Sequence, residues 1–315
     1  ARMASKKLEE KGIIKCLVGK GSFVNIAPNM YTEKQTKFDC LNIGVILSPW
    51  DANDEISKRS NDIISGLIVS HSHMSIQFNV ISYSKWLKYH SSDPFDLIKD
   101  SSIDILIWLY SSYREAKFIN QLDYHNFPQI IVNRCPLATS ELACVLPDEN
   151  KAINDILEQM TDSELDSYII ISSDKEVSTF YQRNKAVEKF LQEKGRFNHN
   201  LIMYLPEAPY PDWATEAVIM HLKKNQPKIL IDLVGYITPL SYTLSTEDYK
   251  MIEAMKIVSI NNNPQKNKIA CISYELESLG FVRAISDMLE LFINNQYKKT
   301  RHLLQYKQVQ YEPEA

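Results

Sequence analysis

The sequence predicts an α/β protein of parallel sheets flanked by helices, folded as two lobes. Three observations lead there. Eight short apolar runs recur between residues 42 and 262, most without polar alternation, as strands covered on both faces require. Helical patterns stand between those runs, the order that builds a parallel sheet. Eight strands also fit two lobes of four or five strands better than one sheet.

The expected strands are 42–48, 76–83, 104–110, 128–134, 167–173, 200–206, 228–234 and 256–262. The helical patterns include 54–70, 149–160, 178–195, 213–225, 245–255 and 275–296. Gly195 is placed to stop its helix in the left-handed conformation. Residues 29–39 (NMYTEKQTKFD) are polar, break the alternation and read as a linker.

Bulk properties narrow the class. Hydrophobic residues make up 44% and charged residues 23%, the balance of a globular chain. No apolar run reaches the roughly 18 residues of a membrane span. The opening ARMASKKLEEKG is charged and lacks the apolar core of a signal peptide. The five cysteines (Cys16, Cys40, Cys135, Cys144, Cys271) are scattered and odd in number. They argue for a reducing, cytoplasmic setting and against a disulfide framework or thiolate metal site. Net charge is −4, yet residues 1–24 carry Arg2, Lys6, Lys7, Lys11, Lys15 and Lys20 against only Glu9 and Glu10. A basic tip on an acidic body suits a polyanion at one end.

The tip has a pattern of its own. Leu8, Gly12 and Ile13–Ile14 precede Gly19-Lys20-Gly21-Ser22-Phe23-Val24. Gly12 can end a helix, and Gly19 and Gly21 permit a tight hairpin close to a phosphate backbone. The stretch 1–28 resembles the end of a GntR-type winged helix-turn-helix: a recognition helix, two short strands and the wing between them. The resemblance implies DNA contacts from Arg2, Ser5 and Lys6 on that helix, and from Gly19, Lys20, Gly21 and Ser22 in the wing. The family's first two helices have no counterpart, so the chain is expected to begin inside the third.

The body, residues 40–315, resembles the effector domain of LacI/GalR-type repressors, a two-lobed periplasmic-binding-protein-like fold. The segments NIGVIL, FPQIIVNR, YQRNKAVEKFLQEKG, MKIVSINNN and ELESLGFVRAISDMLELF match family segments in order. A GntR-type head on such a body is the arrangement of AraR-like arabinose repressors. The resemblance implies lobe 1 at about 40–147 and 275–298, and lobe 2 at about 148–274 and 299–315. It also implies a ligand in the cleft between them, with a sugar the leading class. The carried-over ligand residues are Asn133, Arg183 and Asn261, with Trp50, Asp51 and Asn53 on the loop after the first strand. Trp213, or Tyr210 nearby, would stack on a sugar face. Arg183, whose fixed donors suit vicinal oxygens, is expected to contribute most, because it is the only charged member of this set besides Asp51 and the family's Asn-Asp pair is missing. Ala186 replaces a family Gly, and Leu233 and Val234 stand where the family has a polar Asn-Asp pair.

The expected partners are operator DNA, a small effector and a second copy of the chain, with no membrane. Helices 275–296 and 54–70 offer candidate dimer surfaces. No cofactor or metal is expected: His71 and His73 have metal-ligand spacing but no third ligand, and read as a solvated helix end. Motifs of nucleophilic, zinc-peptidase and dinucleotide chemistry are absent, which argues against an enzyme. A solute-binding transport protein shares the body fold and is the alternative; the wing pattern counts against it.

Overall fold

The computed structural model describes residues 14–17, 21–24, 40–47, 54–89, 93–111, 114–136, 142–173, 178–206, 210–211, 213–260 and 268–312. At the tip, β1 (Ile14–Leu17) and β2 (Gly21–Val24) pair antiparallel, Ile14 opposite Val24 and Leu17 opposite Gly21. This is the hairpin read from the sequence. Arg2, Ser5, Lys6, Gly19 and Lys20 lie outside the described residues, while Gly21 and Ser22 open β2.

The first lobe runs β3 (Leu41–Ile46), α1 (Asp54–Ser70), β4 (Ile76–Ile81), α2 (Tyr83–Leu87), α3 (Pro94–Asp100), β5 (Ile105–Leu109), α4 (Ala116–Tyr124), β6 (Gln129–Val132) and β7 (Ala143–Pro147). The second runs α5 (Glu149–Glu158), α6 (Asp162–Leu165), β8 (Tyr168–Ser172), α7 (Ser178–Glu193), β9 (Ile202–Tyr204), α8 (Trp213–Asn225), β10 (Ile229–Asp232), α9 (Ile237–Thr243), α10 (Thr246–Glu253), β11 (Lys256–Ile260) and β12 (Cys271–Glu275). The chain then returns as α11 (Ser278–Ile293) and ends in β13 (Arg301–Leu304) and β14 (Lys307–Tyr311).

The two sheets have six strands each, in the orders β13-β7-β6-β5-β3-β4 and β14-β12-β11-β10-β8-β9. All pairings are parallel except β14 with β12. All eight expected strands are present. The sequence reading passed over β7, β12, β13 and β14. Residues 275–277, read as the start of a helix, finish β12 and the connection to α11. Gly195 has φ +66°, two residues past the end of α7, as its helix-stop role requires.

The chain passes between the lobes three times, at Pro147–Glu149, Glu275–Ser278 and Leu304–Lys307. The last crossing corrects the expected boundary at 298/299. Arg301–Leu304 pairs with Cys144–Pro147, so β13 belongs to lobe 1 and only β14 joins lobe 2. Asp148 ties two crossings together: its N–H donates to Leu304 O at 2.9 Å, and its side chain caps α5 by accepting from Lys151 N at 3.1 Å.

Each sheet is covered on both faces. In lobe 1, α1 and α11 bury Ile63, Ile64 and Leu67 with Phe281, Val282, Ile285 and Leu289 on one face. On the other face, α2–α4 pack Trp86, Leu97, Phe118 and Leu122 against Ile46, Leu106 and Trp108. The α1 and α11 faces thus cover one sheet and each other. A Cβ at Gly66 of α1 would stand 2.6 Å from Val282 of α11, so the contact depends on having no side chain there. This internal packing accounts for the buried faces of both helices, offered by the sequence as candidate dimer surfaces, while Ile68 and Val69 of α1 and Leu279 of α11 stay exposed. His71 departs from its expected exposure as well: it is buried, and its Nδ1–H donates to Leu67 O at 2.9 Å.

Candidate functional site

Parallel strands aim their C-terminal ends, and the helix N-termini that follow, at one edge of each sheet. Here those edges meet across the crossings. Asn133 follows β6, Ser173 follows β8 and Thr179 stands in the first turn of α7. Their exposures are 6%, 1% and 4%, yet Asn133 Oδ1, Ser173 Oγ and Thr179 Oγ1 have no hydrogen-bond partner among the described residues. Buried polar atoms are rarely left so. Asn133 is held in the left-handed region (φ 67°), with its N–H donating to Val145 O at 2.8 Å.

The lobes touch beside these atoms. Cys135 N–H donates to Ser178 Oγ at 3.1 Å, and Ser178 N–H donates to Cys135 O at 3.2 Å. The Arg134 guanidinium lies 5.3 Å from the Phe180 ring centre. The loop after β6 therefore rests on the start of α7, two residues from Asn133 and next to Thr179.

A second polar cluster sits at the crossings. Arg183 of α7 is 1% exposed. Its Nε–H donates to Glu149 Oε2 at 2.6 Å, Nη2 donates to Glu149 Oε1 at 3.2 Å and to Tyr306 Oη at 2.8 Å, and Nη1 donates to Leu233 O. Tyr306 Oη is also 3.1 Å from both Glu149 oxygens, and its ring packs against the cores of both lobes. Burial opposes the Arg183 charge, but Glu149 and Tyr306 together more than offset this, so its pKa is raised. Burial likewise raises the Tyr306 pKa, against the pull of Arg183.

This corrects the role expected of Arg183. Its donors are held inside the protein by Glu149, Leu233 and Tyr306, and it is neither a free hydroxyl donor nor a solvated helix charge. Nothing in the sequence signalled the partners, which lie 34, 50 and 123 residues away. Asp232, one residue before the substituted Asn-Asp positions, is also internal. It is fully buried and accepts from Val234 N (3.0 Å), Ile237 N (2.8 Å) and Ser259 Oγ (2.9 Å), opening α9. Burial pushes its pKa up while these donors pull it down, and the net direction is up.

Of the other expected ligand residues, Trp50, Asp51, Asn53 and Asn261 lie outside the described residues. Tyr210 packs edge-on against Tyr236 at 4.6 Å and lines a groove of about 720 Å³ between α8 and α9–α10. Trp213 begins α8 and is 55% exposed. The structure brings neither onto Asn133. The sequence reading missed Ser173 and Thr179, which look like ordinary small polar residues at a strand end and a helix start. Among the described residues, no group of three His, Cys, Asp or Glu could hold a metal ion, and no helix is long and apolar enough to cross a membrane.

No protein-family model matches the chain, and no curated protein matches it in sequence. Solved structures do match in fold. The transcription regulator CcpA of Lactococcus lactis superposes with TM-score 0.63 at 14% identity, covering 87% of this chain and all of that one. A complex of the transcriptional regulator CelR with cellobiose gives 0.62 at 12%, covering 90% and 88%. A regulatory protein of the LacI family from Chloroflexus aggregans gives 0.63 at 12%, covering 87% and 98%. The two lobes, their parallel sheets and their three crossings thus share the fold of these structures, a LacI-type, periplasmic-binding-protein-like α/β fold.

Proposed function

We propose that the chain is a ligand-responsive transcription regulator. A small neutral molecule, with a sugar the leading class, binds between the lobes, and a GntR-type winged-helix tip binds operator DNA in a homodimer. The observation that carries the ligand reading is the trio of buried, unpartnered atoms on Asn133, Ser173 and Thr179. A ligand hydroxyl can donate to the Asn133 amide oxygen and accept from either hydroxyl. Trp50, Asp51, Asn53 and Asn261 complete the cleft in this reading. The neutral character is read from the trio, whose atoms are uncharged, and from Arg183, whose charge is already paired with Glu149. The β1–β2 hairpin and the basic residues around it support the DNA-binding tip. Ligand closure would re-space the two tips on half-sites.

The test is a thermal-shift screen of uncharged mono- and disaccharides and polyols, cellobiose included because a similar structure holds it. A ligand at about 100 times its Kd stabilises by about 2.7 kcal/mol, which reads as a clear rise in Tm. A stabilising ligand must then change the affinity of the protein for DNA in a gel-shift titration, and Lys20→Glu must weaken that binding at all sequences. No stabilising ligand together with no DNA binding overturns the proposal.

A further inference from the structure

A groove of about 310 Å³ opens between α7 and β9, the edge strand of the second lobe's sheet, and none of the cleft trio lines it. Its floor is apolar: Ile170 of β8 and Val187 of α7 are buried, and Ile202 of β9 is half-buried. Asn184 stands in its wall with the amide already used, Nδ2 donating to Ser173 O at 2.8 Å and Oδ1 accepting from Ser172 Oγ. Three rings, Phe197, His199 and Tyr204, line the β9 side, and the last two lie 5.9 Å apart between centres. The segment that carries them is fixed in advance. Tyr168 Oη donates to Arg196 O at 2.9 Å and accepts from Asn198 N at 3.1 Å, which holds the chain on both sides of Phe197. The Arg196 side chain is anchored to Asp162 and Asp166, and Asn198 caps the turn His199–Leu201.

The groove also holds one charge. Glu188 of α7 lines it, accepts from Gln192 Nε2 at 3.1 Å, and has no ion-pair partner among the described residues. The lysines around it are engaged elsewhere: Lys185 lies over the Tyr181 ring at 5.8 Å, Lys189 pairs with Glu193 at 3.9 Å, and Lys194 lies over the Phe190 ring at 5.7 Å. Ring faces carry partial negative charge and attract a cation, and a carboxylate beside them adds a full one. The apolar floor suits alkyl groups, and the engaged Asn184 amide leaves little for a polyhydroxylated ligand. Glu188 and His199 are too few to hold a metal ion. We propose that this groove is a second ligand site, which takes a small alkylated ammonium cation: its charge against the rings and Glu188, its methyl groups on the floor. A site fixed before binding costs little to order. The inference stands apart from the neutral-ligand cleft and does not rest on it.

Calorimetric titration of the whole chain with choline tests it, with circular dichroism to check the fold of each variant. The control probe is the uncharged carbon isostere of choline, with a tert-butyl group in place of the trimethylammonium. Choline is expected to bind, and the isostere to bind about ten-fold more weakly or less, because it lacks the charge that the rings and Glu188 recognise. Glu188→Gln keeps the size of the side chain and removes its charge, and should weaken choline about five-fold. Tyr204→Leu removes a partly exposed ring and should weaken choline about five-fold or more. If Tyr204→Leu fails to fold, Glu188→Gln and the isostere still decide. Choline that does not bind up to about 10 mM overturns the site. So does choline that binds no better than its isostere, and so does an affinity that the folded variants leave unchanged, which would place the cation elsewhere on the protein.

Discussion

Two polar clusters lie at the strand ends between the lobes, and they differ in one respect. Around Arg183 a full positive charge is buried, and four of its N–H groups have acceptors. In the Asn133 trio the buried atoms are neutral, and none of the three has a partner among the described residues. The charged cluster looks more like chemistry, yet it is closed on itself. The neutral cluster looks bland and is the one that lacks partners. A buried group points to a ligand by what it lacks, not by its charge.

The contrast is broken most severely at Arg183. Arg183→Met leaves Glu149 buried without its cation and should destabilise the fold by about 3–5 kcal/mol in urea denaturation. Glu149→Leu combined with Arg183→Met should recover most of that loss, because the pair then leaves no uncompensated charge. A double variant as unstable as the sum of the two singles would show that the cluster does not act as a pair.

Tyr306→Phe removes one hydroxyl from the same cluster. It should cost about 1.5–3 kcal/mol, the range for a hydrogen bond to a charged group. It should also change the alkaline limb of stability. The Tyr306 pKa is raised in the fold, so above the ordinary tyrosine value near 10.0 the unfolded chain holds fewer protons than the native one. Stability from this group is complete below that pH and is lost as pH rises through the folded value. Melting curves from pH 9 to 11 should therefore fall less steeply in Tyr306→Phe than in wild type.

The neutral cluster should behave in the opposite way. Asn133→Gly keeps the left-handed backbone and deletes an acceptor with no partner, so stability should change by less than about 1 kcal/mol. Ligand affinity, measured by calorimetry with a sugar found in the screen, should drop by about five- to ten-fold, the worth of one hydrogen bond. Thr179→Val should show the same split, smaller on both axes. A large stability loss with unchanged affinity in both variants would assign the trio a structural role.

Much of this was legible before the structure. Apolar runs such as DILIWLY and SYIII and the patterned helices between them encode local preference and burial, so the two-lobed α/β class and eight strands follow directly. The overlooked strands have less local signal. Ala143–Pro147 is short and ends in proline, and Arg301–Leu304 and Lys307–Tyr311 are sheet edges that stay largely exposed, so neither is a continuous apolar run. Their place depends on a partner strand far away in sequence.

The same divide runs through the candidate site. Asn133 was singled out by the resemblance, at the end of a recognisable strand, and the hairpin of the tip was read because its glycines and spacing are local. The fate of Arg183 was decided by tertiary structure alone. An arginine on a helix reads the same whether it faces water, a ligand or a carboxylate brought in by another crossing. Only folding places Glu149 and Tyr306 against it, since hydrogen bonds act over about 3 Å and chain separation carries no record of that distance.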